Sequence, residues 1–381
     1  MNRTIALAVI AGLELLAAWM HREHARGTFD VIESGFVSWL AANTADKNQA
    51  RSLPPLTLVL YDEEASELAG TTRLALLDGT LFARAASRLG ALAAGVEGIG
   101  EDPSRMIEAA EGMQVFGGYD WQSPPGQGWT PVAGTPAAGW PEAPGVAGRM
   151  GRFARGFIVP PEGTSGARSI LLAARNGDRP VPSFLTLAWV VANGARWSDL
   201  QAQDDVLVAG SARMFLADDG AARFLSGSEP RTMTMNEVLV ASEKFEREGG
   251  VSPFRDHIMV LARATADVAR VAVGEMQAAT PAERLASAWE ALRTNRLFLP
   301  PAWWYPIALV LAAVVLVLGP ARRSNRAALT AGLLSALVFA LVALGVFGSS
   351  RVLLPAAPSL LTLGAALVIG RAGHRAGWFG K

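Results

Sequence analysis

The stretch Pro54-Pro55-Leu56-Thr57-Leu58-Val59-Leu60-Tyr61-Asp62-Glu63-Glu64 decides the fold. Two prolines break whatever precedes them, six uncharged residues follow, and three carboxylates close the run. An apolar run this short, without alternation, is that of a strand buried on both faces, as strands of a parallel sheet are. Residues 74–92 then read as a helix, and 93–99 as a second strand ending at Glu101-Asp102. Asp102-Pro103 is a helix start, with aspartate as N-cap and proline at the first helical position. That helix reaches Gly112, and 113–117 is a third strand ending near Asp120. Strand, helix, strand, helix, strand at this spacing predicts a parallel βαβαβ unit.

Further along, 122–148 is dense in Pro, Gly and Trp, a loop long enough to suggest function. An apolar segment at 153–159, a helix at 182–195, strands at 206–209, 213–216 and 258–261, and a helix at 281–296 complete the middle of the chain. Before the first strand, Phe29, Ile32, Phe36, Trp39 and Leu40 fall near helical spacing. They predict an amphipathic helix on a membrane surface or on the domain.

The two ends differ from the middle. Thr4–Met20 is an apolar run interrupted only by Glu14, and it ends in Trp19-Met20 and is followed by His21-Arg22-Glu23-His24 rather than by small residues. That pattern predicts a retained anchor and not a cleaved signal. Three uncharged runs follow at 302–318, 327–347 and 352–370, the first led by Trp303, Trp304 and Tyr305, which suit the headgroup level. Arg322, Arg323 and Arg326 lie between the first two, and Arg371, Arg375 and Lys381 after the last. The positive-inside rule makes these basic stretches and both termini cytoplasmic, so the middle of the chain is expected outside.

The expected fold class is an α/β extracytoplasmic domain, with a parallel or mixed sheet and flanking helices, plus four transmembrane helices. Its parts are an N-terminal anchor (1–26), the α/β domain (27–300), a three-helix membrane region (301–371) and a short tail (372–381). The expected location is a bacterial cytoplasmic (inner) membrane, with the main domain periplasmic. Lys plus Arg and Asp plus Glu number 34 each, which argues against a nucleic-acid partner. The chain has no cysteine, excluding disulfides, thiolate metal sites and cysteine nucleophiles.

Leu56–Ala65, Arg84–Asp102, Met113–Tyr119, Val181–Ala192, Phe254–Ala262 and Ala282–Arg296 together make a pattern. Here the chain resembles the second type of CHASE domain, an extracellular sensory domain associated with cyclases and histidine kinases. The resemblance implies an N-terminal anchor, a long extracytoplasmic sensory domain and three membrane helices before a cytoplasmic output domain. Only 11 residues follow Gly370, so output is expected through a separate partner.

Asp62, Glu63, Glu64, Glu101, Asp102 and Asp120 fall at the predicted C-terminal ends of three strands, the edge where open parallel sheets bind ligands. Carboxylates there suit Mg²⁺, Ca²⁺ or a cationic or hydroxylated small molecule. The alternative is that Asp102 only caps its helix and the others are solvated strand ends. Trp121, Trp129 and Trp140, in and beside the long loop, are candidate partner-binding aromatics. His21, Glu23 and His24 offer either a metal-binding helix face or interfacial anchors, the latter being commoner at a membrane edge. His257 stands alone and reads as structural or surface.

Gly95, Gly98 and Gly100 do not make the dinucleotide fingerprint, and no nucleophile elbow, zinc-protease helix or P-loop is present. No catalytic residue, metal or cofactor is therefore expected. Glu14, a carboxylate within an apolar run, is expected to face other helices (Ser335 or Thr362) or a second protein, as packing polarity, proton relay or docking site.

The expected role is a non-catalytic, membrane-anchored sensory or interaction module acting through partner proteins. The alternative is a structural accessory subunit of a larger membrane complex. Expected contacts are the lipid bilayer, other membrane or extracytoplasmic proteins and, on the sensory reading, a small molecule.

Overall fold

A computed structural model describes residues 3–26, 28–44, 53–61, 76–97, 103–119, 135–136, 139–142, 149–150, 153–158, 169–177, 179–204, 206–224, 231–263, 281–294, 296–315 and 324–376. The chain divides into a helix unit, Met1–Ala45 with Phe298–Lys381, and an α/β unit, Asp46–Leu297. The helix unit opens with α1 (Arg3–Arg26) and α2 (Asp30–Thr44). The α/β unit holds α3 (Leu76–Arg88), α4 (Ser104–Ala109), α5 (Phe184–Ala192), α6 (Met235–Glu248) and α7 (Pro281–Arg293). The helix unit resumes with α8 (Tyr305–Ala313), α9 (Asn325–Ser350) and α10 (Ala356–Arg375).

The main sheet contains β1 (Leu56–Tyr61), β2 (Ala93–Val96), β3 (Gln114–Tyr119), β4 (Arg149–Met150), β5 (Phe153–Phe157), β6 (Arg231–Thr234) and β7 (Ile258–Arg263), in the spatial order β6-β1-β7-β2-β3-β5-β4. Every neighbouring pair is parallel except β4 with β5. The expected βαβαβ unit is present, with the late strand β7 inserted between β1 and β2. A register line crosses the sheet through Leu58, Val260, Gly95, Phe116 and Ala154.

Both faces of β1 are covered, which is why its sequence does not alternate. Leu56, Leu58, Phe116 and Val260 pack towards α5 and α7, where Trp289 is fully buried and its Nε1 donates to the Pro54 carbonyl at 2.9 Å. Val59, Ala94, Val115 and Leu261 pack towards α3, α4 and α6 through Phe82, Met106 and Val238. A Cβ on Gly95 would lie 2.6 Å from the Phe184 ring, so the bare backbone there admits the tilted Phe116–Phe184 pair.

Helix α5 is buried from Phe184 to Val191, as an all-round apolar helix must be. Ser183 caps it, its Oγ accepting the Thr186 N–H at 3.1 Å. An antiparallel meander of 200–204, 206–209 and 212–215 adds Leu200, Leu207 and Met214 to the same core.

Some elements differ from expectation. The sequence reading left out α6, although Thr234 and Glu237 form a reciprocal capping box at its start. Helix α4 begins at Ser104, with the Pro103 carbonyl accepting from Met106 and Ile107, while the expected cap Asp102 lies outside the described residues.

In the helix unit, Leu13 and Ala17 of α1, Val310 and Ala313 of α8, and Leu363 and Ala366 of α10 form the core. Leu329–Ser350 and Ala356–Arg375 are long and apolar enough to cross a membrane, by length and composition. The last helix starts four residues later than expected. Arg351 takes a left-handed conformation (φ 59°), Val352 bridges to Leu299, and Pro355, unsuited to a helix interior, stands at the N-cap. It runs on through Arg371 to Arg375.

Helix α2 is present where the spacing of Phe29, Ile32, Phe36, Trp39 and Leu40 predicts one. Glu33, Val37, Leu40 and Ala41 are buried, while Ile32 and Trp39 are exposed.

Candidate functional site

The strands β1, β7, β2 and β3 end on one edge of the sheet, at Tyr61, Arg263, Val96 and Tyr119, with β2 two residues short of its neighbours; this is the edge where the acidic ligand site was expected. Asp62, Glu63, Glu64, Glu101, Asp102 and Asp120 lie outside the described residues, as do Trp121 and Trp129. Two acidic groups that the sequence reading did not select are described at this edge. Asp78, in the first turn of α3, hydrogen-bonds the Tyr61 hydroxyl; burial and this negative neighbour raise the phenol above its ordinary range. Glu97 is buried, and its N–H donates to the Leu261 carbonyl at 2.9 Å. Glu97 lines a small cleft with Ile158, Phe184, Val260, Ala262 and Leu285, of about 10 Å³. That cleft has room for about one water, whereas small-molecule pockets measure roughly 300–1,000 Å³.

Trp140 is 1% exposed and belongs to the main core. Its carbonyl accepts from Arg175 Nε at 2.9 Å. In that position its ring stabilises the fold and offers no surface to a partner.

His257 stands just before β7, with its Nδ1 3.0 Å from the Thr57 hydroxyl. Burial lowers its pKa, and the Arg231 charge pushes the same way against Asp256. Among the described residues no group of three or more His, Cys, Asp or Glu could hold a metal, His21, Glu23 and His24 included.

The best-defined polar constellation lies in the helix unit. Glu33 of α2, with no exposed surface, accepts the Ala357 N–H at 2.8 Å and the Ala356 N–H at 3.2 Å. These amides open α10, whose N-cap Pro355 supplies no side-chain acceptor. A carboxylate satisfies the orphan donors and complements the positive end of the helix dipole. Burial still pushes the Glu33 carboxyl above its ordinary range, opposed by the two N–H donors.

His24 Nδ1 lies 3.8 Å from Glu33 Oε1. Nearby, the Tyr305 hydroxyl of α8 lies 2.7 Å from Ser359 Oγ of α10, and the serine donates in turn to the Pro355 carbonyl. With both carboxylate oxygens engaged, Glu33 is a cap that fastens α2 to α10. Sequence reasoning missed it because its partner is 323 residues away. The one signal was a carboxylate set within an otherwise apolar helical pattern.

Glu14 does not face the bundle. Leu13, Ala17 and Met20 are the buried residues around it, and Glu14 is exposed. Neither Ser335 nor Thr362 is its partner among the described residues, and the Thr362 hydroxyl donates to the Pro358 carbonyl at 2.7 Å.

No protein-family model matches the chain, and neither a curated protein nor a solved structure matches it.

Proposed function

We propose that the protein is a membrane-anchored module that holds its α/β unit outside the cytoplasm and acts without catalysis, through partner proteins. The observation that carries this reading is the inverted surface of α9. Leu329, Leu333, Leu334, Leu337, Val338, Leu341 and Val342 are exposed, while Ser335 is buried. Such a surface is costly in water and suited to hydrocarbon. On this reading α1, α8, α9 and α10 are four spans of a bacterial inner membrane.

Two features of the helix unit support the proposed orientation. Thr44, at the end of α2, lies beside Gly348, and Leu299 pairs with Val352, so both meet the C-terminal end of α9. Arg326 stands in the first turn of α9, at its other end, and Arg322 and Arg323 precede it in sequence; the positive-inside rule makes such a basic end cytoplasmic.

The resemblance to the second type of CHASE domain favours sensing over scaffolding alone. Glu33 supplies a physical link for it. A displacement of α2, which leads into the α/β unit, would act on α10 through the two amide hydrogen bonds. The test is purification of the full chain from its native membrane in gentle detergent. A stoichiometric, salt-resistant partner is expected. A lone protein bound to a turned-over small molecule would overturn the non-catalytic reading, and stable isolation without partner or ligand would overturn action through partners.

A further inference from the structure

On α1 the residues Leu7, Ala11, Glu14 and Ala18 recur at spacings of four, three and four, and all are exposed. This is the spacing of a helix-packing seam, with one polar member to fix register. The exposed Leu15 and Trp19 border this line on the same helix, so the small residues on either side of Glu14 form one strip of a face that is otherwise bulky. On α9 the comparable positions Leu333, Leu337 and Leu341 are large aliphatics, as lipid-facing positions are. On α1 the residues one turn before and after the carboxylate are alanines, which let another backbone approach closely. Glu14 has no hydrogen bond or ion pair among the described residues. A carboxylate at the depth of an apolar run costs about 2.5–3.5 kcal/mol unless it is met.

We propose that this face of α1 docks a spanning helix of a different polypeptide that presents a lysine or arginine at the depth of Glu14. The inference rests on the membrane reading above. A second copy of this chain does not meet the need. A symmetric contact would set Glu14 against Glu14, and the runs 302–318, 327–347 and 352–370 contain no charged residue. The cation must therefore come from another chain, and its side chain would neutralise Glu14 where water is excluded.

The chain contains no cysteine, so Ala18→Cys in the full-length protein is its sole thiol. A photoactivatable maleimide attached there, in native membranes, is expected to give one adduct that Leu337→Cys does not. The adduct's peptide should map to a spanning helix with a Lys or Arg. Adding Glu14→Gln should lower the yield about tenfold, the scale of about 1.4 kcal/mol for one intramembrane polar contact. Glu14→Lys paired with a partner variant carrying glutamate at the basic position should restore it.

An adduct with a second copy, a mapped helix without a basic residue, or a yield indifferent to Glu14→Gln would each overturn the proposal. Alkaline carbonate extraction of the same membranes separates the two failures. Release of the protein overturns the membrane reading itself, whereas retention without an adduct overturns only the docking face.

Discussion

The two units of this chain solve opposite burial problems. In the α/β unit the large apolar side chains go inside: Phe82, Phe116, Phe184 and Trp289 are fully or almost fully buried. In the helix unit much of the apolar surface goes outside, and the buried set includes Glu33, Ser335, Ser359 and Thr362. In the helix unit Glu33, Ser359 and Thr362 meet hydrogen-bond partners, as polar groups withdrawn from water generally do. The difference lies in the solvent each proposes for its outer face. An exposed leucine in one unit and an exposed valine in the other thus carry different meanings.

The comparison breaks most visibly at Trp289. Trp289→Ala should destabilise the α/β unit by about 3–5 kcal/mol, through the cavity and the lost bond to Pro54. Hydrogen exchange on the full chain in detergent should show β1 and β7 amides losing protection while those of α9 keep theirs. Joint loss in both units would mean that they are not separate cores.

A charge placed on each outer face sharpens the contrast directly. Leu333 is 68% exposed on α9 and Val240 58% exposed on α6. Leu333→Asp should cost about 2.5–3.5 kcal/mol of membrane insertion. Val240→Asp should stay within about 0.5 kcal/mol, as water-facing substitutions do. Equal tolerance in an insertion assay would erase the distinction.

Glu33→Ala leaves two amides of α10 without their acceptor and should cost about 2 kcal/mol in helix-unit stability. Glu33→Gln keeps one acceptor oxygen and should recover part of that loss. Thermal unfolding of the two variants in detergent checks the order.

The smallest effect concerns His257. Its folded pKa is below the ordinary 6.5, so above that pH both folded and unfolded states are neutral and it contributes no pH dependence. As pH falls from 6.5 towards the folded value, the unfolded chain takes the proton first and stability is lost. His257→Gln should flatten that segment of the stability–pH curve, measured by α/β-unit hydrogen exchange.

What the sequence made legible follows from where the signal is local. The strands expected at 56–61, 93–99 and 113–117 are found at Leu56–Tyr61, Ala93–Val96 and Gln114–Tyr119, because burial on both faces leaves short, largely apolar runs. The place of β7 between β1 and β2 was not legible, because parallel pairing joins segments about 200 residues apart and leaves no turn to mark the register. Helix α6 was announced twice, by the Thr234–Glu237 capping box and by an apolar stripe at Met235, Val238, Leu239 and Phe245, so its absence from the sequence reading was an oversight and not a lack of signal. The burial of Glu33 on α2 was not legible, because the amides that it meets, at Ala356 and Ala357, lie at the far end of the chain. The outward aspect of Glu14 depends on which face of α1 packs, and that is set by α8 and α10 at the far end of the chain.

Cysteine accessibility in this cysteine-free chain tests the membrane placement most directly. Val240→Cys, Leu337→Cys and Ser324→Cys would each be treated in intact cells with a maleimide that cannot cross membranes. A helix unit that spans the membrane, with the α/β unit outside, predicts labelling at 240 at once, at 324 only after permeabilisation, and at 337 in neither case. Labelling at 337 from water, or at 240 only after permeabilisation, would contradict it.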